Sequence, residues 1–440
     1  MATRFGLAAV LAAAVLLPLA AAANASGGAR ALRVSRCRGP SNAEVVQAVD
    51  GRYVYEAWIG CSHGIGFARS ADGGRTFGRS RAVPGSHLRG EHSWDPAIVA
   101  APDGTVYVAY MVGPEERARA SSAPMRPVVA VSHDHGRSFD RVSTLPVPST
   151  KSANFGDRPF VAVGPEGAVY VTWDYGPRKS DVRIVCPPTS SCYFTAGDFN
   201  AVLQKSTDGG RTWTRLVPIS PGFPLGGADS APILAEPDGA LDVLYWQHAT
   251  DPKTLAVSPG REYFTRSTDG GRSWSQPVAV GPQAGTIGLQ EWWIDGSLAV
   301  DRAGVLYAGW DTQSRGRDTA WLAWSTNGGR HWSPPVRVAS SRTEHLTEVA
   351  AAGHRDVYVG WQTVVRGKGY ATFLRRYAVG KGWTGAARKV SPAYGKPQIW
   401  PGDTFGLSTR NGSALLSWGS ALHARSGSQL YFRSARLPNG

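Results

Sequence analysis

The octapeptide STDGGRTW, Ser206 to Trp213, decides how this chain is read, because STDGGRSW returns at Ser267 to Trp274. Aligned on Ser-x-Asp-x-Gly-x-Thr-Trp, three more clear copies appear: SADGGRTF (70–77), SHDHGRSF (132–139) and STNGGRHW (325–332). A worn copy, RYAVGKGW (376–383), keeps only the glycine and the tryptophan. The residue types describe a turn. Asp72, Asp134, Asp208, Asp269 and, in the fifth copy, Asn327 are placed to accept hydrogen bonds from backbone N–H groups just ahead. The glycine that follows permits positive φ, and the closing Trp or Phe forms an apolar lid. These five positions therefore read as structural. His133 and His135 flank Asp134 and could be drawn as a metal pair; inside a turn they read as surface variation.

A longer pattern accompanies the octapeptide. An apolar run, a turn and a second run ending in an aromatic residue recur at 43–58, 95–110, 158–173, 231–246, 295–310, 348–361 and 403–418. Each reads as a pair of strands, A and B. Strand C then enters the octapeptide and strand D leaves it. Units of this size, about 50–70 residues apart, predict an all-β fold, a seven-bladed β-propeller of four-stranded antiparallel blades. A six-bladed ring with one odd sheet is the alternative. After the seventh A–B pair the segment SQLYFRSA reads as strand C with no strand D behind it. The segment ALRVSRC (31–37) reads as a strand D with no blade before it, so the N-terminal strand is expected to complete the last blade.

The octapeptides resemble the Asp-box, or BNR, repeats of sialidase-like propellers, and the resemblance spans nearly all of the chain beyond residue 25. It implies C–D hairpins at the rim opposite the active site. It also implies a substrate carboxylate held by three arginines, a tyrosine nucleophile assisted by a glutamate, and an aspartate acid/base. The family's Arg-Ile-Pro motif is missing. Arg158-Pro159 is its nearest echo, Arg89, Arg261, Arg315 and Arg317 fall on the same expected face, and Tyr394 stands where a nucleophile could.

Function is sought on the face of the B–C loops and D-to-A crossings. Of the 16 tryptophans, Trp94, Trp292, Trp293 and Trp400 lie in crossings just before an inner strand. They suit stacking on sugar rings, or a plug closing the channel. Candidate catalytic carboxylates stand beside them: Asp95, Asp157, Glu291 and Asp295. Arg158, Asp403 and His345 join the four tryptophans as candidate substrate-binding residues, and Asp229, Glu344 and Glu348 occupy matching places. A carboxylate pair about 5–5.5 Å apart would suit retaining glycoside cleavage, a wider pair inversion. Equally, such acids can bond backbone N–H groups where inner strands begin.

The remaining signals concern location and partners. Arg4 followed by FGLAAVLAAAVLLPLA and Ala23-Asn24-Ala25 reads as a signal peptide over 1–25, with 26–440 as one secreted propeller domain. The apolar run falls short of the ~20 residues of a membrane span. Export permits disulfides. Cys37–Cys61 would pin the N-terminal strand on the loop face, and Cys186–Cys192 would staple the long loop after Trp173. Metal binding by these cysteines lacks a CxxC pair. A net charge of +14 suits a glycan or acidic polysaccharide partner. No nucleic-acid motif, Walker loop, H-E-x-x-H or G-x-S-x-G is present, so no cofactor, no metal and no nucleic acid are expected. A monomer is expected. A glycoside hydrolase of sialidase type, a binding module without turnover and a polysaccharide lyase all remain open.

Overall fold

Strand B of the first unit, Tyr53–Gly60, is buried on alternating and on intervening positions alike. A strand covered on both faces needs a neighbouring layer on each side. The computed structural model meets this need with a ring. It describes residues 31–37, 42–61, 64–114, 124–149, 153–181, 183–185, 193–196, 199–220, 226–229, 231–249, 260–281, 296–314, 317–342, 345–365, 368–391, 401–420 and 428–437.

Seven antiparallel blades follow the expected A-B-C-D order. Blade 1 is typical, with strands Ala43–Asp50, Tyr53–Gly60, Gly64–Ser70 and Arg81–Ala82. The A strands line the centre: Ala43–Asp50 neighbours Glu91–Ala100 of blade 2 on one side and Gly406–Arg410 of blade 7 on the other. Blade 3 carries an extra hairpin, Arg183–Val185 with Tyr193–Ala196, in its long B–C loop. Cys186 and Cys192 lie outside the described residues. So does the segment 1–25. No helix among the described residues is long and apolar enough to cross a membrane.

Each hydrophobic cluster draws on two adjacent blades. Ala109, Met111 and Val129 of blade 2 pack on Val171, Trp173 and Val202 of blade 3. Val54, Trp58 and Ala68 of blade 1 pack on Leu415, Leu430 and Phe432 of blade 7. The B-strand tryptophans Trp58, Trp173, Trp246 and Trp310 are almost wholly buried. Burying such a side chain contributes about 2–3 kcal/mol, so most of the stability resides between blades.

Closure is by the N-terminal strand. Leu32 and Arg33 pair with Phe432 and Tyr431 of the last C strand. Val34, fully buried, donates its N–H to the Leu430 carbonyl at 2.9 Å. The Cys37–Cys61 disulfide is present, Cα to Cα 4.8 Å, and ties this strand to blade 1. A second seam lies deeper. Gln47 Nε2 of blade 1 donates to Glu56 Oε1 at 2.7 Å, while the Ser408 hydroxyl of blade 7 donates to Gln47 Oε1.

The octapeptides form the C–D turns. In the first, the Ser70 hydroxyl donates to Asp72 Oδ1 and accepts from Gly74 N, both near 2.8 Å. Thr76 donates its N–H and its hydroxyl to the two Asp72 oxygens. The same bonds recur around Asp134, Asp208 and Asp269, and Asn327 reproduces the backbone half of them. Gly74 shows why glycine is required: φ is +85°, and a Cβ there would lie 2.3 Å from the Phe432 ring of blade 7. His135 takes the neighbouring left-handed position at φ 56° and stacks on Tyr53 at 4.2 Å. His133 instead pairs with Asp140 at 2.9 Å, so the two histidines face different partners.

Two pH effects follow. Burial is the largest single contribution and raises both groups, but the hydrogen bonds of Thr76 and Ser70 together outweigh it and bring Asp72 down to about 2, as those of Ser138 and Ser132 do for Asp134. A depressed carboxyl contributes stability above its usual value of 3.8 and loses it as pH falls. Thermal melts should therefore show stability falling from pH 4 to pH 2, and Asp72→Asn should flatten that fall. Glu56 behaves oppositely. Burial outweighs the Ser417 and Gln47 hydrogen bonds and raises it to about 8 from 4.5. Below 4.5 its contribution is fully present; as pH rises from there to about 8 the unfolded chain ionises while folded Glu56 keeps its proton, and that stability is progressively lost. The melting-temperature advantage of Glu56→Gln over wild type should grow from pH 5 to pH 8 and level off above.

Candidate functional site

The innermost strands of blades 1, 2 and 3 share one irregularity. Their register against strand B slips by one residue, between Ala43 and Val46, Trp94 and Ala97, and Asp157 and Phe160. A bulge of this kind re-aims side chains. At each one a charged residue sits left-handed: Glu44 at φ 54°, Asp95 at φ 44° and Arg158 at φ 47°. Left-handed non-glycine residues cost on the order of 1–3 kcal/mol each, and such strain gathers at functional sites. The bulges also extend the inner strands. Trp94 and Asp157 lie within Glu91–Ala100 and Phe155–Val163, not in the crossings ahead of them.

The re-aimed side chains meet across the ring. Arg158 of blade 3 reaches Asp403 of blade 7, 245 residues away in sequence, with Nη2 2.6 Å and Nη1 3.2 Å from the two carboxylate oxygens. Its Nε lies 3.9 Å from Asp95 Oδ2, and its backbone N–H donates to the same oxygen at 3.4 Å. The side chains of Arg158 and Asp403 are 4% and 6% exposed, that of Asp95 14%, so the cluster opens at Asp95. Trp94 Nε1 donates to Asp157 Oδ1 at 2.6 Å, and the indole stacks on His92 at 4.6 Å.

Four carboxyls thus share one guanidinium. Burial, then Asp95, push Asp157 well above the usual carboxylate range, against the pull of Arg158 and Trp94. Burial, then Asp403 and Asp95, do the same to Glu44. Burial raises Asp403 as well, with Arg158 opposing. The Asp95 carboxyl acts on both Glu44 and Asp157 and favours the protonated form of each. The arrangement holds protons in a partly dry recess. Among the described residues no three His, Cys, Asp or Glu side chains are placed to hold a metal ion.

The cluster lies at the strand-A start of each blade. In blade 1, Glu44 stands near the Ala43–Ile59 pairing, whereas the octapeptide begins at Ser70, which pairs with Val54 at the far end. The octapeptides and the carboxyl cluster therefore occupy opposite ends of the blades.

A family profile described as a BNR repeat-like domain matches residues 74–345. The chain belongs to the BNR repeat-like domain family. No curated protein matches it by sequence. Among solved structures, this BNR domain is similar to a polysaccharide lyase titled an ulvan lyase, with TM-score 0.61, 12% identity and coverage of 92% of this chain and 96% of that one. It is similar to the NanB sialidase of Streptococcus pneumoniae, at 0.53, 9%, 88% and 83%. It also resembles the intramolecular trans-sialidase of Ruminococcus gnavus, at 0.50, 12%, 81% and 96%. At these identities the likeness is one of fold, a sialidase-like propeller.

Within this BNR domain the structure brings together Trp94, Asp95, Asp157, Arg158 and Asp403 from the sequence-derived set. Glu291, Trp292, Trp293, Asp295, Glu344, Tyr394 and Trp400 lie outside the described residues. His345 opens strand His345–Ala351, opposite Thr363, and Asp229 closes Gly226–Asp229, opposite Trp246. Glu348 accepts the Ser297 hydroxyl at 2.7 Å, between blades 6 and 5. Glu44 is the member that sequence reasoning missed. It lies in the bulged start of strand Ala43–Asp50, as Asp95 lies in the bulge of Glu91–Ala100, and only an extra residue in its A–B pairing distinguishes it.

Arg158 is the keystone of this cluster. Replacing one partner of a buried pair leaves an uncompensated charge and costs about 3–5 kcal/mol. Arg158→Ala should destabilise by that order in chemical denaturation, and Asp403→Asn in the same chain should recover part of the loss.

Proposed function

We propose that this domain is an exported glycan-acting enzyme, a glycoside hydrolase on a sialidase-like scaffold, with Asp157 as its general acid. The observation that carries this reading is the Asp157 carboxyl, held by the Trp94 indole N–H next to the part-exposed Asp95, where burial and Asp95 favour its protonated form. A protonated carboxyl at the edge of a part-exposed indole suits a glycosidic leaving group: the ring can position a sugar, and the acid can protonate the departing oxygen. The C–O bond breaks as that proton transfers. Water adds at the anomeric carbon and gives its proton to a carboxylate of the set, for which Asp95 is the most exposed candidate.

The similar structures, two sialidase-type proteins and a polysaccharide lyase, support a glycan as the substrate class. Arg158 is engaged by Asp403 and Asp95, so the carboxylate of a sialoside has no obvious claim on it. The substrate class is therefore stated as a glycan rather than as a sialoside. Export rests on the segment 1–25 and is favoured by the Cys37–Cys61 bridge, which suits an oxidising compartment.

The test is a panel of fluorogenic glycosides, a sialoside among them, with uronate polymers monitored for unsaturated products. Turnover should fall about 100- to 10,000-fold in Asp157→Asn, with the melting temperature preserved. The wild-type rate should decline as pH rises through the elevated Asp157 value, since the acid must carry its proton. Full activity in Asp157→Asn overturns the assignment. Unsaturated product would establish a lyase instead, and saturable binding without turnover a binding module.

A further inference from the structure

Beyond the mouth, we infer a second binding site, for a tetrahedral oxyanion, at the worn sixth C–D turn on the opposite face. The intact turns supply their own acceptor. In four of them an aspartate, and in the fifth Asn327, accepts the N–H four residues ahead. The sixth has lost that group. Arg376 stands where the serine stands, Ala378 where the aspartate stands and Gly382 where the threonine stands. The hairpin closes instead through its backbone, Ala378 paired with Gly382 and Lys381 N bonded to the Ala378 carbonyl at 3.0 Å.

Beside this turn lies a cavity of about 350 Å³, lined by His354, Arg355, Asp356, Arg376, Ala378, Val379 and Lys381. Three permanent cations surround it against one acid. Asp356 is already paired, 2.6 Å from Arg376 Nη2. Arg376 is itself buried, at 7% exposure, and its guanidinium lies over the Tyr358 ring at 5.7 Å. Arg355 is exposed and held by a braced turn. Its backbone is left-handed at φ 58°, its N–H donates to Asp301 of blade 5 at 2.6 Å, and its carbonyl accepts Val379 N at 2.9 Å. Asp301 is satisfied elsewhere by the backbone of Ala303 and Val305 and by the Tyr307 hydroxyl. The side chains lining the recess therefore carry a net charge of +2, with two exposed cations, Arg355 on a braced backbone and Lys381, beside the buried guanidinium of Arg376.

Guanidinium and ammonium groups converging on a small recess match a sulfate or phosphate group, whose several oxygens accept more donors than a carboxylate. The ligand is such a group, either as the free ion or borne as an ester on a sugar polymer. The shared chemistry is the oxyanion, and the two sources are separable by experiment.

Inorganic sulfate and inorganic phosphate are titrated into the full chain at constant ionic strength, followed by calorimetry and melting temperature. Dextran sulfate and unsulfated dextran form the polymer arms. Wild type should bind at least one inorganic ion saturably. Arg355→Ser with Lys381→Ser, both exposed positions, should weaken that binding by about ten- to a hundredfold without lowering the ligand-free melting temperature. Arg211→Ser, on an intact turn, should leave it unchanged. Tighter binding of dextran sulfate than of inorganic sulfate, lost in the double variant, identifies the polymer ester as the source. Equal affinities identify the free ion. Binding unchanged in the double variant, or no saturable binding by wild type in any arm, overturns the site.

Discussion

A sheet that is apolar on both faces must find a neighbour on each, and this constraint governs the whole molecule. A stack of such sheets always ends in two uncovered faces. A ring of seven has none. The seam between blades 7 and 1 is accordingly built with care. The Leu32–Arg33 strand completes the last sheet, Cys37–Cys61 fastens it, and Val34, Trp58, Leu430 and Phe432 share one cluster. The stability of each blade is borrowed from its neighbours, so the fold has no natural place to stop short of closure.

Once the ring is closed, its centre becomes a place where distant residues meet under low exposure. The bulges exploit this. A regular inner strand would point alternate side chains along the channel wall; one extra residue in blades 1, 2 and 3 turns Glu44, Asp95 and Arg158 toward a common point. The backbone strain is tolerated because the surrounding blades over-determine the geometry. Burial then does the chemical work, since it favours the protonated forms of Glu44, Asp157 and Asp403 even beside the Arg158 guanidinium.

Much of this was legible in the sequence, and for physical reasons. The octapeptide announces itself because its hydrogen bonds demand particular atoms: a serine oxygen, a carboxylate or amide oxygen and glycines at positive φ. Trp58 and Trp173 recur because each packs into the cluster shared with the preceding blade. Asp95, Asp157, Arg158 and Asp403 could be placed near the mouth by their position before inner strands. Their mutual contacts could not, because an ion pair spanning 245 residues has no local signature. Glu44 was hidden for a related reason: a bulge is a property of pairing, visible only when both strands are known. The offset between Asp95 and Asp157 was hidden likewise. In register Asp157 corresponds to Trp94, and Asp95 to Arg158.

The cluster draws Glu44, Asp95, Asp157 and Arg158 from the first three blades and Asp403 from the seventh, so it straddles the ring's only joint between the two ends of the chain. A nascent chain that has formed six blades holds three-quarters of the acids but lacks Asp403, the carboxylate that takes both Nη atoms of Arg158. Any chemistry at the hub must therefore wait for the final blade to dock, which makes competence a readout of completed assembly.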